Sequence, residues 1–232
     1  GKIRKKMPRL FTSNFVMETG AEPSFMIVED FNRDGEMDLV VTNSGDNTLS
    51  YFKGRGDGTF KDQIIMKTGE DPICVVTADF NNNGYLDLAV LNYRDQTINI
   101  YFNSRFGNFK KKKITLKPGK IPINMESGDF NRDGISDLAV TMRYHKVMIL
   151  LGKGKGRFKN PVAIPVKGQP TAIVLGDYDR NKIVDIAIAL AGSGQTGLQI
   201  LWGVGDGTFE PSEVIKGGGQ PLTLANIDVD ND

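Results

Sequence analysis

The chain has 232 residues, with 29 Lys and Arg against 28 Asp and Glu and a formal charge of +1, which is long enough for one sizeable core and too balanced for bulk electrostatic binding of nucleic acid or an anionic membrane. Cys74 and His145 are the only cysteine and histidine, so an internal disulfide and a Cys/His zinc cluster are excluded. No apolar run approaches the roughly 18 residues of a membrane span, and Gly-Lys-Ile-Arg-Lys-Lys at the start opens no signal-peptide core; a soluble segment without its targeting sequence is expected, with no membrane insertion.

Glycine supplies 27 residues, well above its usual share of about 7 per cent. Without collagen's period of three, this excess predicts many tight turns between short strands. The first distinctive element is Asp30-Phe-Asn-Arg-Asp-Gly-Glu-Met-Asp38. It recurs as Asp79-Phe-Asn-Asn-Asn-Gly-Tyr-Leu-Asp87, Asp129-Phe-Asn-Arg-Asp-Gly-Ile-Ser-Asp137 and Asp177-Tyr-Asp-Arg-Asn-Lys-Ile-Val-Asp185, and a fifth copy begins at Asp228-Val-Asp-Asn-Asp232. The first aspartates stand 49, 50, 48 and 51 residues apart, and Pro23, Pro72, Pro122, Pro170 and Pro221 each lie seven residues before one of them. Residues 1–232 are therefore read as one domain or fragment with loops at 30–38, 79–87, 129–137 and 177–185 and a truncated loop at 228–232.

Within repeat two, alternating and β-branched runs predict strands over Ile73 to Ala78, Leu88 to Asn92, Thr97 to Asn103 and Phe109 to about Leu116. Four short antiparallel strands in a unit of this length describe the blade of a β-propeller. No segment holds a 3.6-residue period for three turns, and parallel solenoid coils are usually shorter. The expected fold is an all-β propeller, with four full repeats and part of a fifth.

The acidic loop has a chemistry of its own. Side-chain oxygens at positions one, three, five and nine, with the carbonyl of position seven, can converge on a point when a glycine at position six makes a sharp turn. Hard oxygen donors without imidazole or thiolate suit calcium better than zinc or copper, and better than magnesium, which keeps its waters. Loop one offers Asp30, Asn32, Asp34, the Glu36 carbonyl and Asp38; loop three offers Asp129, Asn131, Asp133, the Ile135 carbonyl and Asp137. Loop two, with Asp79, Asn81, Asn83, the Tyr85 carbonyl and Asp87, brings one carboxylate fewer and is expected to bind more weakly. Loop four offers Asp177, Asp179, Asn181, the Ile183 carbonyl and Asp185, but Lys182 stands in place of the glycine. An EF-hand would need a glutamate at position twelve, where these loops have Val41, Val90, Val140 and Ile188. Aspartates that merely cap turns are the simpler alternative, yet four copies at fixed spacing favour metal. Bound calcium would be structural, neutralising crowded carboxylates and pinning the first strand to the second.

The pattern D-x-[ND]-x-[ND]-G-x-x-D, a hydrophobic strand and then G-D-G-T-F resembles the FG-GAP or VCBS repeat of integrin-alpha-like propellers. Gly56-Asp57-Gly58-Thr59-Phe60 and Gly205-Asp206-Gly207-Thr208-Phe209 carry the second motif in full, whereas Arg105-Phe106-Gly107-Asn108-Phe109 and Gly154-Lys155-Gly156-Arg157-Phe158 depart from it. The resemblance runs from Phe11 onward and implies a propeller with calcium in its loops. Relatives usually close with about seven blades, roughly 350 residues at this period, so a piece of a longer protein or self-association through open blade edges is expected.

Up-and-down connectivity puts the acidic loops and the G-D-G-T-F turns at one end of each blade and the second-to-third hairpins at the other. The hairpins at Asn43 to Asn47, Asn92 to Gln96, Met142 to Lys146 and Ala191 to Gly197 differ from copy to copy, as a binding surface does and as unconstrained loops also do. Tyr93, Arg94, Tyr144 and His145 are the candidate contacts to a protein or glycan ligand. Arg55-Gly56-Asp57 falls inside the repeat's own turn and is read as coincidence, and Lys110 to Lys113 as protection of an outer strand. Tyr51-Phe52, Tyr101-Phe102, Leu150-Leu151 and Leu201-Trp202 occupy matching places, where the aromatics could stack on a sugar but their aliphatic counterparts argue for core positions, and Cys74 reads as an inert buried thiol. No nucleophile with a base and no paired acid and base appear beyond the loop carboxylates. The expected role is non-catalytic: an extracellular, cell-surface or periplasmic adhesion or protein-binding scaffold, with a calcium-dependent lectin as the alternative and a non-catalytic part of a polysaccharide lyase or hydrolase behind it.

Overall fold

The computed structural model describes residues 16–116, 120–192, 195–217, 219 and 221–225. Each repeat is an antiparallel sheet with strands in chain order. Blade one comprises β1 (Pro23–Glu29), β2 (Asp38–Asn43), β3 (Thr48–Phe52) and β4 (Ile64–Lys67). Blade two has β5 (Pro72–Ala78), β6 (Asp87–Asn92), β7 (Thr97–Ser104) and β8 (Asn108–Leu116), within a residue of the predicted limits. Blade three has β9 (Pro122–Gly128), β10 (Asp137–Met142), β11 (Lys146–Leu150) and β12 (Val162–Pro165). Blade four has β13 (Gln169–Gly176), β14 (Asp185–Ala191), β15 (Gly197–Gly203) and β16 (Phe209–Pro211), and β17 (Ile215–Lys216) pairs with β15 further along its outer edge. The architecture is a β-propeller, and among the described residues no helix is long and apolar enough to cross a membrane. The fifth acidic loop, Asp228 to Asp232, lies outside the described residues, as do the side chains of Lys111 to Lys113.

The first strands β1, β5, β9 and β13 touch in succession and form the inner edge. The second strands are sandwiched between neighbouring blades, and their sequences show it. Asp-Leu-Ala-Val-Leu-Asn in β6 is buried at every position, as is Asp-Leu-Ala-Val-Thr-Met in β10, because both sheet faces are covered. Three apolar clusters fill the spaces between blades. Val40, Leu49 and Tyr51 meet Val75, Leu88 and Val90; Leu91, Ile98 and Ile100 meet Met125, Leu138 and Val140; Val147 and Ile149 meet Ile173, Ile186 and Ile188.

Position two of the acidic loop bolts each blade to the next. Phe31, Phe80 and Phe130 are each 1 % exposed. Phe31 packs against Phe109 at 5.6 Å, Phe80 against Phe158 at 6.1 Å, and Phe130 against Phe209 at 5.5 Å. The second ring of each pair is the phenylalanine of the following blade's third-to-fourth turn. The backbone carbonyls join in: Phe80 O accepts from Gly156 N at 2.8 Å and Phe130 O from Gly207 N at 3.1 Å. Blade two lacks the regular turn, and there the Asn103 amide donates to Phe31 O at 2.8 Å. Asn103 stands where other blades have Gly54, Gly152 and Gly203, at which a Cβ would lie 2.2, 2.5 and 2.4 Å from a carbonyl oxygen. A register shift between Ile100 and Phe102 accompanies the larger residue in blade two.

One inner-strand residue breaks the apolar pattern. Glu126 pairs with Ala139 just as Ile27, Val76 and Val174 pair with Val40, Ala89 and Ala187. Burial pushes its carboxyl up to about 7, partly offset by the Ser127 backbone. A raised carboxyl pKa means the folded state holds the proton more tightly than the unfolded chain. Its stabilising contribution is complete below about pH 4.5 and is lost as pH rises towards 7. Glu126→Gln is expected to raise stability at pH 8 by about 2 kcal/mol, allowing for partial solvent screening, and to leave pH 5 almost unchanged. Urea melts at the two pH values check this, and a variant that keeps the parent's pH slope refutes the assignment.

Candidate functional site

The four acidic loops share one hydrogen-bond plan. At position one, Asp30, Asp79, Asp129 and Asp177 each accept two backbone N–H groups, from positions five and six, at 2.6 to 3.2 Å. At position five, Asp34, Asn83, Asp133 and Asn181 accept the N–H of position seven at 2.7 to 3.0 Å. This turns the loop into a tight coil held by its own side-chain oxygens. At positions four and six the backbone is left-handed: Arg33, Asn82, Arg132 and Arg180 have φ of 57° to 62°, while Gly35, Gly84 and Gly134 have φ of 76° to 88°. Lys182 takes φ 66° and the fourth loop closes like the others. The missing glycine therefore costs strain of about 1 kcal/mol without changing the loop's path.

Position nine has a second role that the loop motif does not reveal. Asp38, Asp87, Asp137 and Asp185 are fully buried. One oxygen of each accepts a backbone N–H from the end of the third strand: Gly54, Asn103, Gly152 and Gly203, at 2.9, 2.7, 2.6 and 2.8 Å. The other oxygen is held within the blade. Asp38 Oδ2 accepts from the Tyr51 hydroxyl at 2.8 Å, Asp87 Oδ2 from the Asn81 amide at 2.8 Å, Asp137 Oδ2 from Phe130 N at 2.8 Å, and Asp185 Oδ2 from Tyr178 N at 2.9 Å. This carboxylate clamps the acidic loop to the third-to-fourth turn. Burial pushes the carboxyl of Asp87 up to about 7 and that of Asp137 up to about 6, and backbone hydrogen bonds oppose it. The glycine at or just after the end of the third strand in blades one, three and four, replaced by Asn103 in blade two, is the sequence signal for this clamp.

The donor set of each loop is all oxygen, which is the chemistry a hard divalent cation requires. Among the described residues, three carboxylates come within 4.8 Å of one another in loop four, at Asp177, Asp179 and Asp185. Asp179 at position three makes the difference, since loops one to three have Asn32, Asn81 and Asn131 there. Loops one and three, each with three carboxylates, do not close to that distance. The loops are also stitched across blades: the Arg33 guanidinium donates to Gly84 O and lies 4.5 Å over the Tyr85 ring.

The third-to-fourth turns lie beside these loops. In blades one and four the turn aspartate bonds its own turn, Asp57 accepting from Thr59 N at 2.9 Å and Oγ1 at 2.6 Å, and Asp206 likewise from Thr208. These bonds hold the Asp57 and Asp206 carboxyls below the usual carboxylate range. Asp57 is thus part of the turn, in keeping with the ordinary reading of Arg55-Gly56-Asp57. Tyr51, Tyr101, Leu150 and Leu201 are buried, and Cys74 is 1 % exposed with its thiol pushed up to about 12 by burial. It has no nucleophilic role in that setting.

The hairpins occupy the opposite end. Arg94, exposed, lines a concavity of about 420 Å³ with Glu22, Ser44, Asn47, Glu70 and Asp71, between the hairpins of blades one and two. Tyr93 is half-buried, with its N–H on Asp71 O at 2.8 Å. Tyr144 is 62 % exposed and His145, in the left-handed region at φ 51°, is exposed beside it. The concavity does not take in Tyr93, Tyr144 or His145, so the structure places the four candidates on one end of the molecule without joining them in one pocket.

The family model of the FG-GAP-like repeat matches this chain three times, over residues 30–90, 79–140 and 129–188. Among solved structures, BBS1N in complex with ARL6DN, from crystals soaked with lead and with mercury, is similar with TM-scores of 0.60 and 0.59. The identities are 19 % and 20 %, and the matches cover 88 % and 87 % of this chain and 59 % and 57 % of those chains. At that identity the likeness is one of fold, and this chain spans under two thirds of their length. No curated protein matches the chain.

Proposed function

The chain belongs to the FG-GAP-like repeat family, and from that premise we propose that it is a non-catalytic β-propeller scaffold that holds structural calcium in its acidic loops and binds a protein on its hairpin face. The observation that carries this reading is the contrast between the two ends. The loop end repeats one hydrogen-bond plan four times, whereas the hairpin end presents Arg94 in an acidic concavity in one place and bare Tyr144 and His145 in another. A fixed end suits a stabilising ion and a varied end suits a partner of irregular surface. A propeller of this fold in complex with a protein, BBS1N with ARL6DN, is a precedent for the binding half.

Calcium, when bound, would supply positive charge against the carboxylates of positions one, three, five and nine. Asp30, Asp79, Asp129 and Asp177 would hold it at the loop entrance, with Asn32, Asn81, Asn131 and Asp179 beside them. The position-nine carboxylates would carry the ion's effect into the clamp. Loops of modest affinity fill in millimolar calcium, which is the reason for placing the protein outside the cell, at a cell surface or in a periplasm. Added calcium at about a hundred times its dissociation constant is expected to stabilise the fold by about 2.7 kcal/mol per filled loop. Thermal melts in calcium and in chelator test this, and coincident melts would remove the metal from the proposal.

The binding half is tested on an array of extracellular protein domains and a glycan array in parallel, with Arg94→Glu/Tyr144→Ala beside the parent. Protein binding lost in the double variant supports the reading. Glycan binding lost in chelator would favour a lectin instead, and silence on both arrays from folded protein would end the hairpin-face assignment.

A further inference from the structure

We propose that the cleft between blades one and two, on the outer rim of the molecule, is a binding site for a small monocarboxylate with an apolar body. The inference rests neither on the metal nor on the hairpin face. It concerns a boundary between two complete blades, away from either end of the described chain.

The cleft has a volume of about 490 Å³, with β4 of blade one on one side and the third-to-fourth turn and the start of β8 of blade two on the other. Small-molecule sites commonly fall between about 300 and 1,000 Å³ and are apolar with a few fixed polar groups. Here Tyr51, Ile64, Ile65 and Met66 come from blade one and Tyr101 and Phe109 from blade two. Tyr51 and Tyr101 are buried and make the floor, whereas Ile64 and Ile65, exposed by 43 and 63 %, stand at the mouth. Gly107 fits against the floor only without a side chain, since a Cβ would lie 2.3 Å from the Tyr51 hydroxyl.

The lining is peculiar to this boundary when set against the one between blades three and four. By strand register, Ile149, Val162, Ala163, Pro165 and Leu201 stand there in the places of Tyr51, Ile64, Ile65, Lys67 and Tyr101. Blades one and two thus bring two flat rings, a larger side chain at the mouth and an ammonium group to a position that elsewhere holds aliphatic residues and a proline.

The polar groups decide the class of ligand. Both phenols are already committed: the Tyr51 hydroxyl donates to Asp38 Oδ2 and the Tyr101 hydroxyl to Lys67 O, each at 2.8 Å. Lys67 is the single charged residue of the lining, it is exposed, and among the described residues its ammonium has no ion-pair partner. Asn108, also exposed, adds an amide. Lys53 Nζ lies 5.8 Å from the centre of the Tyr51 ring, and the strand that leaves Phe109 runs through Lys110 to Lys113. No acidic side chain joins the lining. An apolar body therefore finds its walls, and an anionic end finds an unpaired cation at the rim. One ammonium and one amide match a single carboxylate, whereas a phosphate, with more charge and more acceptor oxygens, calls for more donors.

Methyl NMR of the full chain, labelled at isoleucine and methionine, tests the proposal with 2-naphthoate as the probe and 2-naphthylmethanol and 2-naphthylmethylamine as its neutral and cationic counterparts. Saturable shifts are expected at Ile64, Ile65 and Met66, with Ile173 and Ile188 in the distant core unmoved. The alcohol should bind about fivefold more weakly than the carboxylate, and the amine more weakly still. Ile65→Glu removes an apolar wall and adds a like charge, and should weaken 2-naphthoate about tenfold or more; Lys67→Gln should weaken it about fivefold. Both positions are exposed, and unchanged Ile173 and Ile188 signals report that the variants are folded. No shift at millimolar probe, shifts spread over the distant core, or equal binding of the three probes would each overturn the proposal. So would 2-naphthoate affinity untouched by Ile65→Glu. Movement of the Ile64, Ile65 and Met66 signals on dilution of the protein alone would also overturn it, since a second copy would then be the occupant.

Discussion

Asp137→Ala is expected to lower the unfolding free energy in chelator by about 4 kcal/mol, because it strands two buried donors, Gly152 N and Phe130 N, that the carboxylate now satisfies at 2.6 and 2.8 Å. Asp137→Asn keeps an acceptor for one of the two and should lose only about 1–2 kcal/mol under the same conditions. The pair separates the clamp from the metal. In chelator, a larger loss for alanine than for asparagine reports the clamp alone. If calcium fills this loop as proposed, asparagine should in calcium also lose the part of the stabilisation that depends on it, since a neutral amide would replace a charged ligand. The pH dependence of the parent in chelator has a definite sign. Burial pushes the Asp137 carboxyl up to about 6, so the stability it contributes is complete below about pH 3.8 and is lost as pH rises through 6. Urea denaturation of the three proteins with and without calcium is the measurement. Equal losses for alanine and asparagine in chelator would show that the two N–H groups find other partners and that the clamp is not a stabilising device.

Much of the blade was legible in the sequence because its determinants are local. The run Asp87-Leu-Ala-Val-Leu-Asn92 is both a strand and a strand buried on two faces, and nothing distant is needed to see it. The acidic loop was equally plain, since Asp79 bonds to residues four and five positions on. The clamp was not, because Asp87 meets Asn103, sixteen residues later, and the pairing follows from where the third strand ends. The bolt was further from sight. An aromatic at position two in each of the four full loops was visible as Phe31, Phe80, Phe130 and Tyr178, but the partner of each phenylalanine lies in the next repeat, across a sheet-to-sheet space that no single unit encloses. Lys182 was visible as a departure from the motif, but its conformation was not: glycine adopts the left-handed turn without a Cβ clash, and the lysine is held there with Asp177 accepting its N–H at 2.8 Å. The hairpins were legible as a group and not as a site, since their exposed residues are not constrained by each other.

The bolts carry the prediction about how the blades act together. Phe130→Ala should cost about 3–5 kcal/mol, the usual penalty for emptying a buried phenylalanine site, because the ring is 1 % exposed and meets Phe209 across the blade boundary. Tyr178→Ala, at the same loop position but half-buried, should cost about 1–2 kcal/mol, in proportion to the smaller area it covers. The contrast is positional, since among the described residues a turn phenylalanine, Phe209, packs on Phe130 whereas Tyr178 is only half-buried. Stacked repeats are held by their intrinsic stability and by nearest-neighbour interfaces, so weakening one interface should also loosen the coupling between its two sides. In Phe130→Ala the boundary between blades three and four is the weak one. Trp202 in blade four, the chain's single tryptophan, reports that side by fluorescence while far-ultraviolet dichroism reports the whole sheet content. The two unfolding curves should coincide in the parent and in Tyr178→Ala, and separate in Phe130→Ala with the Trp202 transition at lower urea. Coincident curves in Phe130→Ala, with a loss no larger than that of Tyr178→Ala, would show that the blades are coupled through their strand contacts and that the aromatic pair is incidental to it.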